Sequence, residues 1–244
     1  MGWLLRFKHW LRRRLSPAQW ALAKRRVAPW LAPLVARDPR ALAMLYGSDK
    51  WGHHWYAEHY ARHFGPLRRK RLRILEIGVG GYDDPAAGGA SLRLWKSYFP
   101  RSHIYGIDVF DKSAVRERRL TTFQGSQADA DFLREVAGRI GRLDIVIDDG
   151  SHRNEHVLES FRVLFPLLAP GGLYVVEDTQ TSYWRRMGGD SIERNSPKTS
   201  MGFLKSLADG LNHAEFEIDH EPSYTDVHVA ALHFYHNLVF VEKS

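Results

Sequence analysis

Leu143-Asp144-Ile145-Val146-Ile147-Asp148-Asp149-Gly150-Ser151-His152 runs from a short apolar segment into two acids and a histidine. Leu173-Tyr174-Val175-Val176-Glu177-Asp178 repeats the pattern, with Glu177 twenty-eight positions after Asp149. Short apolar runs bounded by glycine and polar residues read as buried strands. Parallel neighbours lie about 4.8 Å apart, so these acids and the imidazole would meet at the carboxyl edge of the sheet. Ligands bind at that edge in open α/β sheets. Crowded carboxylates raise one another's pKa, and a hard cation such as Mg²⁺, which prefers carboxylate oxygens, is the simplest remedy.

Outward from this pair the chain alternates. Further strands are expected at Arg73–Ile77, His103–Asp108 and Leu120–Gln124, with helices around Ser91–Tyr98, Ala128–Arg139 and Asn154–Leu168. Strands alternating with helices imply a parallel, doubly wound sheet. A last helix reaches Leu211, and Val227–Phe234 with Leu238–Glu242 flank a Tyr-His-Asn turn, which reads as an antiparallel hairpin.

Arg73-Ile74-Leu75-Glu76-Ile77-Gly78-Val79-Gly80-Gly81 is a strand entering a glycine turn, where Gly78 and Gly80 permit positive φ and close approach to a ligand. A dinucleotide fingerprint would want a third glycine where Asp83 stands, and no Walker lysine follows. The next strand ends in Asp108, placed to accept hydrogen bonds from ribose hydroxyls. The third leads into Gln124-Gly125-Ser126-Gln127-Ala128-Asp129, where Gln127 and Asp129 can bond an adenine. Glycine turn, acid and polar loop at consecutive strand ends favour an adenosine-containing cofactor.

Glu76-Ile-Gly-Val-Gly-Gly81, Asp108, Asp148-Asp-Gly-Ser-His152 and Val176-Glu-Asp-Thr179 resemble the class I S-adenosylmethionine methyltransferases. More narrowly they are similar to the metal-dependent O-methyltransferases of macrolide sugars. Tyr46-Gly-Ser-Asp-Lys50-Trp-Gly-His-His-Trp-Tyr56 and Ala90-Ser-Leu-Arg-Leu-Trp95-Lys-Ser-Tyr-Phe-Pro100 share that likeness, which covers roughly Tyr46 to Asp178. The resemblance implies a Rossmann-like, mostly parallel seven-stranded α/β sheet ending in an antiparallel hairpin, with S-adenosylmethionine and Mg²⁺ as cofactors. It places Lys50, Tyr56, Glu76 and Asp148 beside Gly78, Gly80, Asp108, Gln127 and Asp129 as cofactor-binding residues. It makes Asp149, Glu177 and Asp178 the Mg²⁺ ligands and His152 the general base.

The chemistry has its own logic. A sugar hydroxyl attacks a sulfonium methyl only as a near-alkoxide, which a bound cation favours, while an imidazole of ordinary pKa near neutrality takes the proton. The expected acceptor is a sugar hydroxyl of a glycoside, oligosaccharide or glycolipid; a small phenolic or catechol-type acceptor obeys the same logic and is the alternative. Residues 179–202 form a long polar connection expected to fold over the acceptor as a lid, with Tyr183 and Trp184 stacking on it. Two histidine patterns compete. His152-Arg-Asn-Glu155-His156 fits an inverted zinc-peptidase motif, but that mechanism has no use for the preceding aspartates. His59 and His63 stand among Trp55, Tyr56, Tyr60 and Phe64 and read as an aromatic packing face rather than a metal pair.

The charge of +7 is uneven: residues 1–37 hold nine Lys/Arg and no acid, leaving 26 bases against 28 acids beyond them. A nucleic-acid enzyme would spread basic charge around its cleft, so no nucleic-acid partner is expected. Residues 1–45 form a basic helical arm, before a transferase domain spanning 46–244. Trp3, Leu4, Phe7, Trp10 and Leu11 make a helical stripe that can pack on the body or on a second copy, giving a homodimer. The same stripe can lie in a membrane interface. Arginines interrupt every candidate secretory core. Having no cysteine, the chain holds no disulfide and is compatible with a reducing cytoplasm.

Overall fold

The computed structural model describes residues 27–244. The aromatic stripe expected between Trp3 and Leu11 lies outside the described residues. Residues 27–35 are helical, and Asp38 caps α1 (Pro39–Tyr46) through its side chain, with Pro at the helix start and Gly47 at φ 78° as its stop. Helix α2 (Ala57–Phe64) follows, then β1 (Arg73–Ile77), α3 (Ala90–Tyr98), β2 (His103–Asp108) and β3 (Leu120–Gln124). Next come α4 (Ala130–Ile140), β4 (Leu143–Asp148), α5 (Asn154–Leu164) and β5 (Leu168–Glu177). The described chain closes with α6 (Ser200–Gly210), α7 (Tyr224–His228) and the hairpin β6 (Val229–Tyr235) and β7 (Leu238–Lys243).

The seven strands lie in the order β3-β2-β1-β4-β5-β7-β6. Every pairing among β1 to β5 is parallel, and β7 joins β5 and β6 antiparallel. Period-two alternation splits the strand side chains between two cores. Ile74, Ile104, Ile145, Val175 and Phe240 pack with α1, α2 and α3. Leu75, Ile107, Val146, Tyr174 and Val241 pack with α4, α5 and α6. Ala32, Leu42 and Ala43 belong to the first core, so residues 27–45 are docked on the body rather than projecting from it as an arm.

The strands expected at Arg73–Ile77, His103–Asp108, Leu120–Gln124 and Leu143–Asp148 occupy those bounds. The larger differences lie at α5, β5 and the hairpin. Helix α5 stops at Leu164 instead of Leu168, since Pro166 has no backbone N–H with which to continue the helical ladder, and β5 accordingly begins at Leu168. The hairpin begins at Val229 rather than Val227 because Ser223 and Asp226 form a capping box that holds Tyr224–His228 in a helical turn.

Register is what builds the site. Ile77 pairs with Asp148, and Asp148 pairs with Val176. The glycine turn, Asp149 and Glu177 therefore leave the sheet side by side. Strand order reverses between β1 and β4, which is where open α/β sheets present their crevice.

Candidate active site

Beyond β1, Gly78 adopts φ 95°, and a β-carbon there would stand 2.0 Å from the Asp149 carbonyl oxygen. Only glycine lets the two strand tips meet this closely. Beside them opens a cavity of about 610 Å³, lined by Gly78, Gly80, Asp108, Gln127, Asp149 and His152 among others. Asp108 uses one oxygen to accept from the Val79 N–H at 3.0 Å and the other to accept from the Phe110 N–H at 3.0 Å. Its carboxylate is thereby held at the rim of the cavity. Gln127 Nε2 donates to Asp148, and its Oε1 accepts from the Ser151 N–H at 2.7 Å. Asp148 is buried, takes a further hydrogen bond from Ser160, and has its carboxyl raised by that burial. It serves as the anchor of Gln127.

Behind the cavity lies a charge cluster. Lys50 is 0% exposed, and its Nζ stands 2.8 Å from Asp149 Oδ2, 2.7 Å from Glu177 Oε1 and 3.4 Å from Glu76 Oε1. Tyr60 donates to Glu177 from the other side. Burial lowers an ammonium pKa, but here Asp149, Glu177 and Glu76 outweigh it and hold Lys50 well above its ordinary value. Burial pushes the Glu76 carboxyl up to about 7. It also raises Glu177, with the Asp149 charge adding to the effect.

Asp178 is set apart from that cluster. Tyr56 donates to Asp178 Oδ1 at 2.7 Å, and His54 Nδ1 lies 3.7 Å from the same oxygen. Burial would raise Asp178, yet the Tyr56 hydrogen bond and the fields of His152 and His54 leave it below the usual carboxylate range. His152 Nε2 stands 3.6 Å from Asp178 Oδ2 and 3.9 Å from Asp149 Oδ1. Ligand atoms of Asp149, His152 and Asp178 all fall within 4.8 Å of one another. Both His152 and Asp178 hold positive φ, at 56° and 52°. For residues with a β-carbon this costs on the order of 1–3 kcal/mol each, and it persists where the surroundings over-determine the backbone.

The expected site residues divide accordingly. Gly78, Gly80, Asp108 and Gln127 line the cavity, together with Asp149 and His152. Lys50, Tyr56, Glu76, Asp129 and Asp148 do not. Lys50 and Glu76 are buried in the acid cluster, Tyr56 is buried beside Asp178, and Asp129 instead caps α4 by accepting from the Asp131 and Phe132 N–H groups. Glu177, grouped in the sequence reading with Asp149 and Asp178, has its carboxylate engaged by Lys50 and Tyr60. His152 takes its place in the ligand-bearing group. His156 bonds to the Ser151 hydroxyl at 2.9 Å and is absent from that group, contrary to the peptidase motif.

Residues 179–202 are folded and tied to the body. Thr179–Tyr183 and Arg185–Met187 are short 3₁₀ turns. Asn154, 1% exposed, donates from Nδ2 to the Thr181 and Met187 carbonyls at 3.1 and 2.9 Å. Its Oδ1 accepts from the Ser200 N–H at 2.7 Å. Tyr183 and Trp184 stay partly exposed beyond this anchorage. Sequence reading passed over Ser48, Asp49, Tyr82, Val109 and Phe110, which also line the cavity. Val109 and Phe110, two apolar residues directly after the acid that ends β2, were the available signal.

Residues 30–179 match a family described as a methyltransferase domain. The chain is 52% identical over 210 residues to a demethylmacrocin O-methyltransferase of Streptomyces fradiae, covering 85% of this chain and 53% of that protein. It is 54% identical over 204 residues to an 8-demethyl-8-alpha-L-rhamnosyl tetracenomycin-C 2'-O-methyltransferase of Streptomyces olivaceus, covering 83% and 53%. Among solved structures, the MycE methyltransferase of the mycinamycin biosynthetic pathway, in complex with Mg and SAH, superposes with a TM-score of 0.83 at 51% identity, over 85% of this chain and 54% of that one. The chain thus spans about half the length of the relatives it matches.

Proposed function

Because the chain belongs to the methyltransferase-domain family, we propose that it transfers a methyl group from S-adenosylmethionine to a sugar hydroxyl of a glycoside, assisted by Mg²⁺. The observation that carries this reading is the convergence of Asp149, His152 and Asp178 at the edge of the glycine-walled cavity. The residues present fit such an ion: two carboxylates offer oxygens to one point, as Mg²⁺ prefers. Asp149 and Asp178 would hold it, with Glu177 behind them steadied by Lys50 and Tyr60. When bound, the ion supplies an electrostatic pull that acidifies the acceptor hydroxyl and fixes its oxygen.

The chain's own groups do the rest. The backbone at Gly78 and Gly80 admits the cofactor, Asp108 accepts from its ribose hydroxyls, and Gln127 with the adjoining loop meets its adenine. As the acceptor oxygen bonds to the methyl carbon, the carbon–sulfur bond breaks and its electron pair stays on sulfur. The hydroxyl proton passes to His152 Nε2, the imidazole nitrogen that faces the two aspartates. Tyr183 and Trp184, exposed on the segment that follows Asp178, are the aromatic rings offered for stacking on a sugar face. On this reading 46–244 is the transferase domain and 179–202 its acceptor wall. Both relatives are named as O-methyltransferases, and the name of the second states a rhamnosyl acceptor, which supports the acceptor class.

Two measurements test it. Calorimetric titration with S-adenosylhomocysteine should show saturable binding, weakened about tenfold to a hundredfold in Asp108→Ala, the equivalent of about 1.5–3 kcal/mol for hydrogen bonds to a charged group. Equal affinity in the variant would reject the ribose assignment. Methyl transfer to deoxysugar glycosides should vanish with EDTA and return with Mg²⁺; full turnover in EDTA would reject the metal.

A further inference from the structure

A second group of ligand-bearing side chains gathers where α2 crosses the hairpin. Ala231 and His233 of β6 share a sheet face with Phe240 and Glu242 of β7, because residues two apart point the same way and these pairs are in register. Helix α2 lies over that face and brings His63 to it. His233 Nε2 stands 2.9 Å from Glu242 Oε1, and His63 Nδ1 stands 3.9 Å from the same oxygen. All three ligand atoms lie within 4.8 Å of one another. None of these residues lines the cavity already described.

His63 is oriented for this. Its ring stacks on Phe240 at 4.2 Å, and its Nε2 is hydrogen-bonded to the Tyr235 hydroxyl at 2.9 Å. With Nε2–H donating to that oxygen, the Nδ1 lone pair faces Glu242. A ligating histidine characteristically has its other nitrogen fixed in this way. Metal–nitrogen bonds of about 2.0–2.1 Å in a tetrahedral site put donor atoms about 3.3 Å apart. The distances of 2.9 and 3.9 Å bracket that spacing.

We propose that His63, His233 and Glu242 form a binding site for a divalent transition-metal ion of the zinc class, with water in the fourth position. Two imidazoles and one carboxylate suit Zn²⁺, Co²⁺ or Ni²⁺ rather than Mg²⁺. The ion would clip α2 to the hairpin. Since α2 also carries Tyr60, which donates to Glu177, the clip would steady one wall of the acid cluster.

The test is calorimetric titration of the full chain with Zn²⁺ in excess Mg²⁺, which occupies the aspartate pair. His233→Ala and Glu242→Gln alter side chains that are 36% and 39% exposed, so they remove little buried packing. Both should bind Zn²⁺ at least tenfold more weakly than the unaltered chain, whereas Asp178→Asn should match it. Zn²⁺ should raise the melting temperature of the unaltered chain and not of His233→Ala. Unchanged Zn²⁺ affinity in the two hairpin variants, or its loss in Asp178→Asn, overturns the proposal and leaves these side chains as a metal-free hydrogen-bonded relay.

Discussion

Lys50→Met should lower the stability of the fold by about 3 kcal/mol, towards the lower end of the roughly 3–5 kcal/mol that follows when one partner of a buried ion pair is removed. Methionine nearly matches the lysine stem in volume, so the loss is electrostatic and not that of a cavity. Three carboxylates would remain around a site that is fully buried and without its cation. The full penalty is not reached because buried acids escape it by taking up protons. Glu76 and Glu177 are already disposed to do so, since burial has raised both. Urea denaturation monitored by tryptophan fluorescence measures the change. Adding Glu177→Gln to Lys50→Met should recover part of the loss, because one unpaired charge is then gone. A midpoint within error of the unaltered chain would show that Lys50 is not the internal counter-ion.

His152→Ala should reduce methyl transfer by about 10²–10⁴-fold, the usual worth of a positioned general base. Cofactor affinity should barely move, since the glycine turn, Asp108 and the Gln127 loop remain. The separation matters because His152 also sits at positive φ. A purely structural role would show as a shifted melting temperature and weaker cofactor binding, with turnover falling in proportion. Relief of backbone strain should, if anything, favour His152→Gly over His152→Ala in stability. Turnover retained in both would remove His152 from the chemistry.

The parallel strands and the carboxyl-edge cluster were legible because each rests on local pattern: an apolar run, then a polar stop. Register did the remainder, since pairing Asp148 with Val176 obliges Asp149 and Glu177 to be neighbours. What local pattern could not supply was the partner of each acid. Lys50 meets Asp149 and Glu177 across 99 and 127 positions of chain. Lysine is rarely buried completely unless paired, so nothing in its neighbours announced an internal counter-ion. Asp129 has a local cue of a different kind, an aspartate immediately before a helical run, and it caps α4 outside the cavity lining. Helices α1 and α2 are eight residues each, too short for periodicity to declare, although Asp38, Pro39 and Gly47 punctuate the first.

Asn154 binds two carbonyls and one amide from three separate points of the 179–202 segment and its boundary. This bolt ties the segment to the start of α5 at three places. If this wall faces the acceptor, guests are sorted by outline at the threshold. Exchanging Tyr183 or Trp184, which stand outside the bolt, would then reshape the doorway while the masonry of the sheet stays as it is.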